Sequence, residues 1–198
     1  MAAWFVIMED FEGKISELIK VNPKAKTKGS QPAPVHLWNP DLSGDIDIVV
    51  KRDGRWIHEG TEIKREEIVK VFCNILLLEN DEYFLITPVE KWRIDVEDAP
   101  FLVVGLEEVE TEQGNGLKLH TKTGESFVLG AEHPLDVEYK SGVEGEPSPY
   151  ALVRTNLKAL IARNVFYELA ELATVEEDVD TSTMVVYSQG QRFVLGQC

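Results

Sequence analysis

The chain has 198 residues, 43% hydrophobic and 28% charged, enough for one large domain or two small ones and too mixed for a disordered or fibrous protein. Its 35 acidic against 20 basic residues give a formal net charge of −15, which repels polyanions and argues against nucleic acid or an anionic membrane as the main partner. One basic cluster could still capture a small anion.

Cys73 and Cys198 are the only cysteines, too few for a disulfide framework and lacking a C-x-x-C motif, so a reducing, cytoplasmic setting is expected. Residues 2–8 are apolar but lack a basic leader and run into Glu9 and Asp10, unlike a signal peptide. No apolar run approaches the roughly 20 residues of a membrane span.

In chain order, residues 11–21 read as a short helix with Ile15, Leu18 and Ile19 on one stripe. Residues 20–34 hold Lys20, Lys24, Lys26 and Lys28 among prolines and glycine, a solvated linker rather than a nucleic-acid arm. Residues 1–34 thus form an N-terminal helix and basic linker. A first α+β domain is expected over 35–100. There Ile46, Ile48 and Val50 alternate with polar neighbours, and Asp53-Gly54 turns the chain back. Residues 64–78 read as a helix burying Ile68, Val69, Phe72, Ile75 and Leu76, with Cys73 a buried thiol beside them. Residues 83–87 and 92–96 make a second hairpin.

A second domain is expected over 101–198. Strands at 101–108, 117–121 and 126–129 lead to strands at 135–139 and 150–153. A long helix follows over 155–172 with Leu157, Leu160, Ile161, Val165 and Leu169 inward, then a hairpin of 184–187 and 192–195. The hairpin-helix-hairpin order of the first domain recurs, as a duplication or by chance. The expectation is an α+β protein of two small domains, the C-terminal half a curved antiparallel sheet closed by one long helix. Neither half has much core alone, so the two should share an interface, and small-molecule sites favour such clefts.

Several motifs carry a resemblance: Trp38-Asn39-Pro40, Gly44-Asp45-Ile46-Asp47, Thr87-Pro88-Val89-Glu90-Lys91, Glu97-Asp98-Ala99-Pro100-Phe101, Glu132-His133-Pro134-Leu135 and Gly190-Gln191-Arg192-Phe193. In this order they resemble a bacterial family known as domain of unknown function 1285, over residues 35–196. The resemblance implies a duplicated α+β core without assigned activity, its second half similar to a pleckstrin-homology-like (PH-like) fold. It also implies a signal-transduction role with a nucleotide-like ligand held between the domains. Thr121-Lys122-Thr123-Gly124 departs from the family pattern, so no site role passes to that turn.

The physical lead to a site is a cation at the wrong end of a helix, disfavoured by roughly 0.3–1 kcal/mol. Lys64 and Arg65 open the first long helix, where Glu66 and Glu67 neutralise them. Arg154 precedes the second with no acid in the following turns. A helix N-terminus with an arginine fork suits phosphate or carboxylate. Arg154 and Asn156 would hold the anion and Tyr150 would stack a ring. Thr87, Glu90 and Lys91, at a turn set by Pro88, would line the other wall with Asp98. Arg163 lies on the opposite helix face, where it would meet an acid of the other domain. A salt bridge from Asp98 to Arg154 or Arg163 is the rival reading.

Asp45 and Asp47 offer a second class. Two carboxylates at i, i+2 on one strand face can share a divalent metal, as in nucleotide-processing enzymes, or simply face solvent above Ile46 and Ile48. Nucleophile-elbow, Walker and dinucleotide motifs are absent, and the four histidines are scattered, so no catalytic residue, metal or cofactor is assigned. The expectation is a ligand-binding regulatory module. The alternatives are a metal-dependent enzyme using Asp45 and Asp47, or a scaffold whose sheet edges meet a protein partner. Oligomeric state is not legible.

Overall fold

The computed structural model describes residues 33–139, 147–178 and 181–197, so the helix expected over 11–21 and most of the basic linker lie outside the described residues. The period-2 alternation builds β1 (Leu42–Val50), which buries Ile48 and Val50. Gly54, at φ +74, turns the chain into β2 (Trp56–His58), with Val50 opposite Trp56 and Ile48 opposite His58. A short β3 (Thr61–Glu62) completes the meander.

Helix α1 (Glu66–Asn74) buries Val71, Phe72 and Cys73. It is shorter than the expected 64–78, because Leu76 opens β4 (Leu76–Glu79), not a last helical turn. Asn80 and Asp81 both take positive φ, 52° and 63°, forming a two-residue hairpin turn that pairs Leu76 with Leu85 of β5 (Glu82–Ile86). That pairing draws the leucines out of the helix. β6 (Lys91–Val96) follows the expected second hairpin and runs parallel to β1, closing one six-stranded sheet of order β3-β2-β1-β6-β5-β4.

The second sheet has order β10-β11-β12-β7-β8-β9. It comprises β7 (Phe101–Thr111), β8 (Gly114–Thr121), β9 (Ser126–Val128), β10 (Leu135–Tyr139), β11 (Pro147–Arg154) and β12 (Leu157–Ile161). β12 corrects the expected helix over 155–172: residues 157–161 are a strand, and only α2 (Arg163–Glu171) is helical. The physical reason is burial on both faces. β12 lies between β11 and a parallel β7, with Leu157, Ala159, Leu160 and Ile161 all buried, so strand pairing overrides the helix propensity of leucine and alanine. The closing helix is therefore nine residues long, and the sheet is not wholly antiparallel.

β13 (Thr174–Glu177), β14 (Ser182–Ser188) and β15 (Gln191–Gln197) form a third, antiparallel sheet. A strand triplet, a helix and a strand triplet occur in each half. The first half's triplets share one sheet, whereas the second half's leading triplet joins β7–β9 and its trailing triplet stands apart. Buried Ser188 ties the third sheet to the second, its hydroxyl accepting the Leu117 N–H at 2.9 Å and donating to the Leu129 carbonyl at 2.6 Å. The protein is mostly β, fifteen strands against two α-helices among the described residues. One continuous apolar cluster runs from Ile48 and Phe72 through Phe101 and Leu119 to Leu195, so the halves share a core. Among the described residues no helix is long and apolar enough to cross a membrane.

Candidate functional site

The segment 97–100 joins the two larger sheets and is pinned from the first. Lys51 Nζ lies 2.6 Å from Glu97, and the Arg52 backbone N–H donates to the same carboxylate at 3.1 Å. Arg52 Nε lies 3.2 Å from Asp98, whose other oxygen accepts the Tyr150 hydroxyl at 2.7 Å. Arg52 also donates to Ser148 of β11 at 3.3 Å. Two expected site residues, Asp98 and Tyr150, thus belong to a buried polar joint between the halves.

Arg154 and Asn156 lie at another joint. Arg154 ends β11 and is not at a helix start. Its guanidinium donates to the Cys73 carbonyl at the end of α1, lies 3.9 Å from Glu125 and covers the Phe101 ring at 5.2 Å. Burial lowers its pKa, and the Glu125 charge opposes that. Asn156 donates to the Leu78 carbonyl of β4 at 3.0 Å. Thr87, Glu90 and Lys91 shape the β5–β6 turn. The Thr87 hydroxyl accepts the Glu90 N–H at 3.0 Å, and Lys91 pairs with Glu79 and lies 4.3 Å from the Phe84 ring. Arg163 opens α2 and donates to Tyr167 at 2.8 Å. Asp45, of the alternative metal pair, meets Arg93 at 3.1 Å.

None of those eight residues lines the cleft that the two halves enclose. This cleft, about 360 Å³, lies between the β1–β2 turn, the segment 62–64, the start of α1 and the β8–β9 turn. It gathers four basic side chains, Arg55, Lys64, Lys70 and Lys122, against Glu62 and Glu66. Arg55 is held by Asp53 at 2.7 Å, and Lys70 loosely by Glu66 at 3.4 Å. Lys122 donates to the Asp53 backbone carbonyl at 3.2 Å, and its charge also acts on the Asp53 carboxylate. Lys64 has no carboxylate partner among the described residues.

The N-terminus of α1 faces the same space. Its N-cap is Arg65, no side chain caps it, and the first N–H groups carry the positive end of the helix dipole. Trp56, 1% exposed and packed on Phe72 at 5.7 Å, lines the floor with an indole N–H that has no acceptor among the described residues. The β8–β9 turn is stiffened from behind, since Glu125 accepts the hydroxyls of Thr121, at 2.6 Å, and Thr123. The chemistry offered is capture of an anion by lysines and amides from both halves.

Lys64 and Arg65 were legible as wrong-end cations. Lys70, Lys122, Arg55 and Trp56 were not, because only the approach of the second sheet's turn to the first sheet's helix assembles them. A second cavity, about 410 Å³, lies between the β7–β8 and β14–β15 turns, with Glu108, Asn115, Leu172 and Tyr187 in its wall and no basic side chain. Among the described residues no group of three His, Cys, Asp or Glu is placed to hold a metal.

Comparison with known proteins bears on residues 33–195. A family model described as "Domain of unknown function (DUF1285), N-terminal domain" matches residues 33–99, and "Protein of unknown function (DUF1285), C-terminal domain" matches 100–195. The crystal structure of a DUF1285 family protein from Silicibacter pomeroyi DSS-3 is 40% identical, with a TM-score of 0.76 over 89% of this chain and 94% of that one. A DUF1285 family protein from Shewanella baltica OS155 is 30% identical over 63% of this chain and 90% of its own, with a TM-score of 0.49. No curated protein matches. With both halves matched in order, the chain belongs to the DUF1285 family.

Proposed function

We propose that the protein is a non-catalytic, ligand-binding regulatory module that holds a small anionic, nucleotide-like ligand in the cleft between its halves. The observation that carries this reading is the charge of the cleft. On a chain of net charge −15, four basic side chains meet two acidic ones around an uncapped helix N-terminus. Lys64 and Lys70 come from the first half and Lys122 from the second, so one bound anion would couple the halves, as a signalling module requires. The joints at Asp98–Tyr150 and Arg154–Asn156 would serve as the frame that keeps the walls in register. The recurring triplet-helix-triplet order supports reading the halves as copies of one unit, the second a PH-like elaboration.

The test is thermal melting with inorganic phosphate, mononucleotides and cyclic nucleotides, each with and without Mg²⁺. A ligand at 100 times its dissociation constant adds about 2.7 kcal/mol. For a chain of this size that is a rise of roughly 5–11 °C. The expected result is such a shift for at least one phosphate compound, lost in Lys64→Ala and Lys122→Ala. No shift across the panel would refute the reading. A shift that requires Mg²⁺ and disappears with Asp45→Asn would replace it with the enzymatic alternative.

A further inference from the structure

The β11–β12 hairpin reaches across the boundary and grips the first half at two backbone carbonyls. Arg154 holds Cys73, at the C-terminal end of α1, and Asn156 holds Leu78 of the edge strand β4 at 3.0 Å. The other end of α1 lines the cleft. A nine-residue helix is a rigid rod of about 13 Å, so its two ends move together.

A second path joins the hairpin to the cleft. Arg154 faces Glu125 at 3.9 Å, Glu125 holds the Thr123 hydroxyl, and Thr123 is part of the cleft wall. The grip is also under strain. Thr155, between the two gripping residues, has φ +49, a left-handed conformation that a β-branched residue adopts only when its surroundings impose it. Both cleft walls therefore lead back to one strained turn.

We propose that this hairpin is a latch whose closure sets the shape of the interdomain cleft, so that occupancy of the cleft and closure of the latch reinforce each other. The inference rests on the cleft being the ligand site. Closure keeps Lys122 and Thr123 opposite the start of α1. Release of Arg154 and Asn156 lets α1 and β4 tilt away and loosens the anion's ring of donors. By linkage, an anion bound to the closed form suppresses opening by the factor one plus its concentration over its dissociation constant.

Cys73 supplies the reporter. Its thiol is fully buried beneath the Arg154 grip. In a Cys198→Ser background it is the single cysteine. Labelling by a thiol reagent then counts openings, and inorganic phosphate serves as the probe anion. Asn156→Ala, at an exposed position, should speed labelling about two- to tenfold through loss of one hydrogen bond. Phosphate at ten times its dissociation constant should slow labelling about tenfold. Amide exchange in Asn156→Ala should rise in α1, β4 and the β8–β9 turn and stay unchanged in β13–β15.

If phosphate raises the melting temperature yet leaves Cys73 labelling unchanged, the latch is refuted and the cleft reading stands. If neither inorganic phosphate nor any nucleotide of the melting panel causes either effect, the cleft reading falls and the latch with it. Exchange that rises equally in all three sheets of Asn156→Ala would show ordinary destabilisation and overturn the proposal.

Discussion

Replacing Tyr150 by phenylalanine tests whether its hydroxyl is a ligand contact or a structural post. The ring is 5% exposed, and its hydroxyl donates at 2.7 Å to Asp98, whose side chain is 7% exposed and reaches Arg52 with its other oxygen. The substitution removes one oxygen and leaves the ring packing intact, so no cavity contributes. A hydrogen bond to a charged, buried acceptor contributes about 1.5–3 kcal/mol. Taking about 2 kcal/mol, at 2–4 °C per kcal/mol for a domain of this size, the melting temperature should fall by roughly 4–8 °C. Calorimetry of Tyr150→Phe, Asp98→Asn and the double variant closes a cycle in which the two losses should overlap by about 1 kcal/mol or more. The phosphate-induced shift, measured on the same samples, should match that of the parent protein. An unchanged melting temperature with a lost ligand shift would refute the argument and make the Tyr150 hydroxyl a ligand contact.

Ser188→Ala leaves a buried amide at Leu117 and a buried carbonyl at Leu129 without partners, and should cost about 2–4 kcal/mol in urea unfolding; under 0.5 kcal/mol would mean that the third sheet docks by apolar contact alone. Thr155→Gly relieves a left-handed β-branched residue and should raise the melting temperature by roughly 2–4 °C, a fall counting against strain in the turn. The Glu176 carboxyl is held below its ordinary range, first by the hydrogen bond from Arg192 and then by that from Tyr187. Its folded pKa is depressed, so its contribution is present above about pH 4.3 and is lost as the pH falls through the folded value. Arg192→Gln should therefore lose less stability than the parent between about pH 5 and 3, and parallel stability curves would contradict this.

Where the chain alternates, its sequence is a sound guide. Ile46, Ile48 and Val50 with Asp53-Gly54, and the 83–87 and 92–96 pair, mark hairpins that the structure contains at those places. The two failures share a cause. Leu76-Leu77-Leu78 and Leu157-Lys158-Ala159-Leu160-Ile161 are rich in helix formers, follow or precede true helices, and keep an apolar stripe at helical spacing, so periodicity alone extends the helix over them. The contrary signal was present in both. Asn80-Asp81 and Thr155-Asn156 separate apolar runs as two-residue hairpin turns, with Asn80, Asp81 and Thr155 at positive φ. Both turns pair their strands with a sequence neighbour, β4 with β5 and β12 with β11, and the parallel partner β7 of β12 lies outside any local window.

That misreading moved the expected anion site without destroying the physics behind it. A cation at a helix start was sought at Arg154, which instead ends a strand and serves a helix's other end, giving its protons to the Cys73 carbonyl, where the dipole is negative and a guanidinium is welcome. The unfavourable placement belongs to Lys64 and Arg65 at the start of α1, and Lys122 from the second half deepens it. Glu66 and Glu67 in the first helical turn answer part of that charge, but the one pairing Glu66 makes inside the cleft, to Lys70 at 3.4 Å, is an exposed contact worth under about 1 kcal/mol. Under the proposed function, a dianion with access to the α1 amides, Lys64 and Lys122 would gain several charge-assisted contacts at once. On the proposed reading, that competition would favour a bound anion over the resident carboxylate.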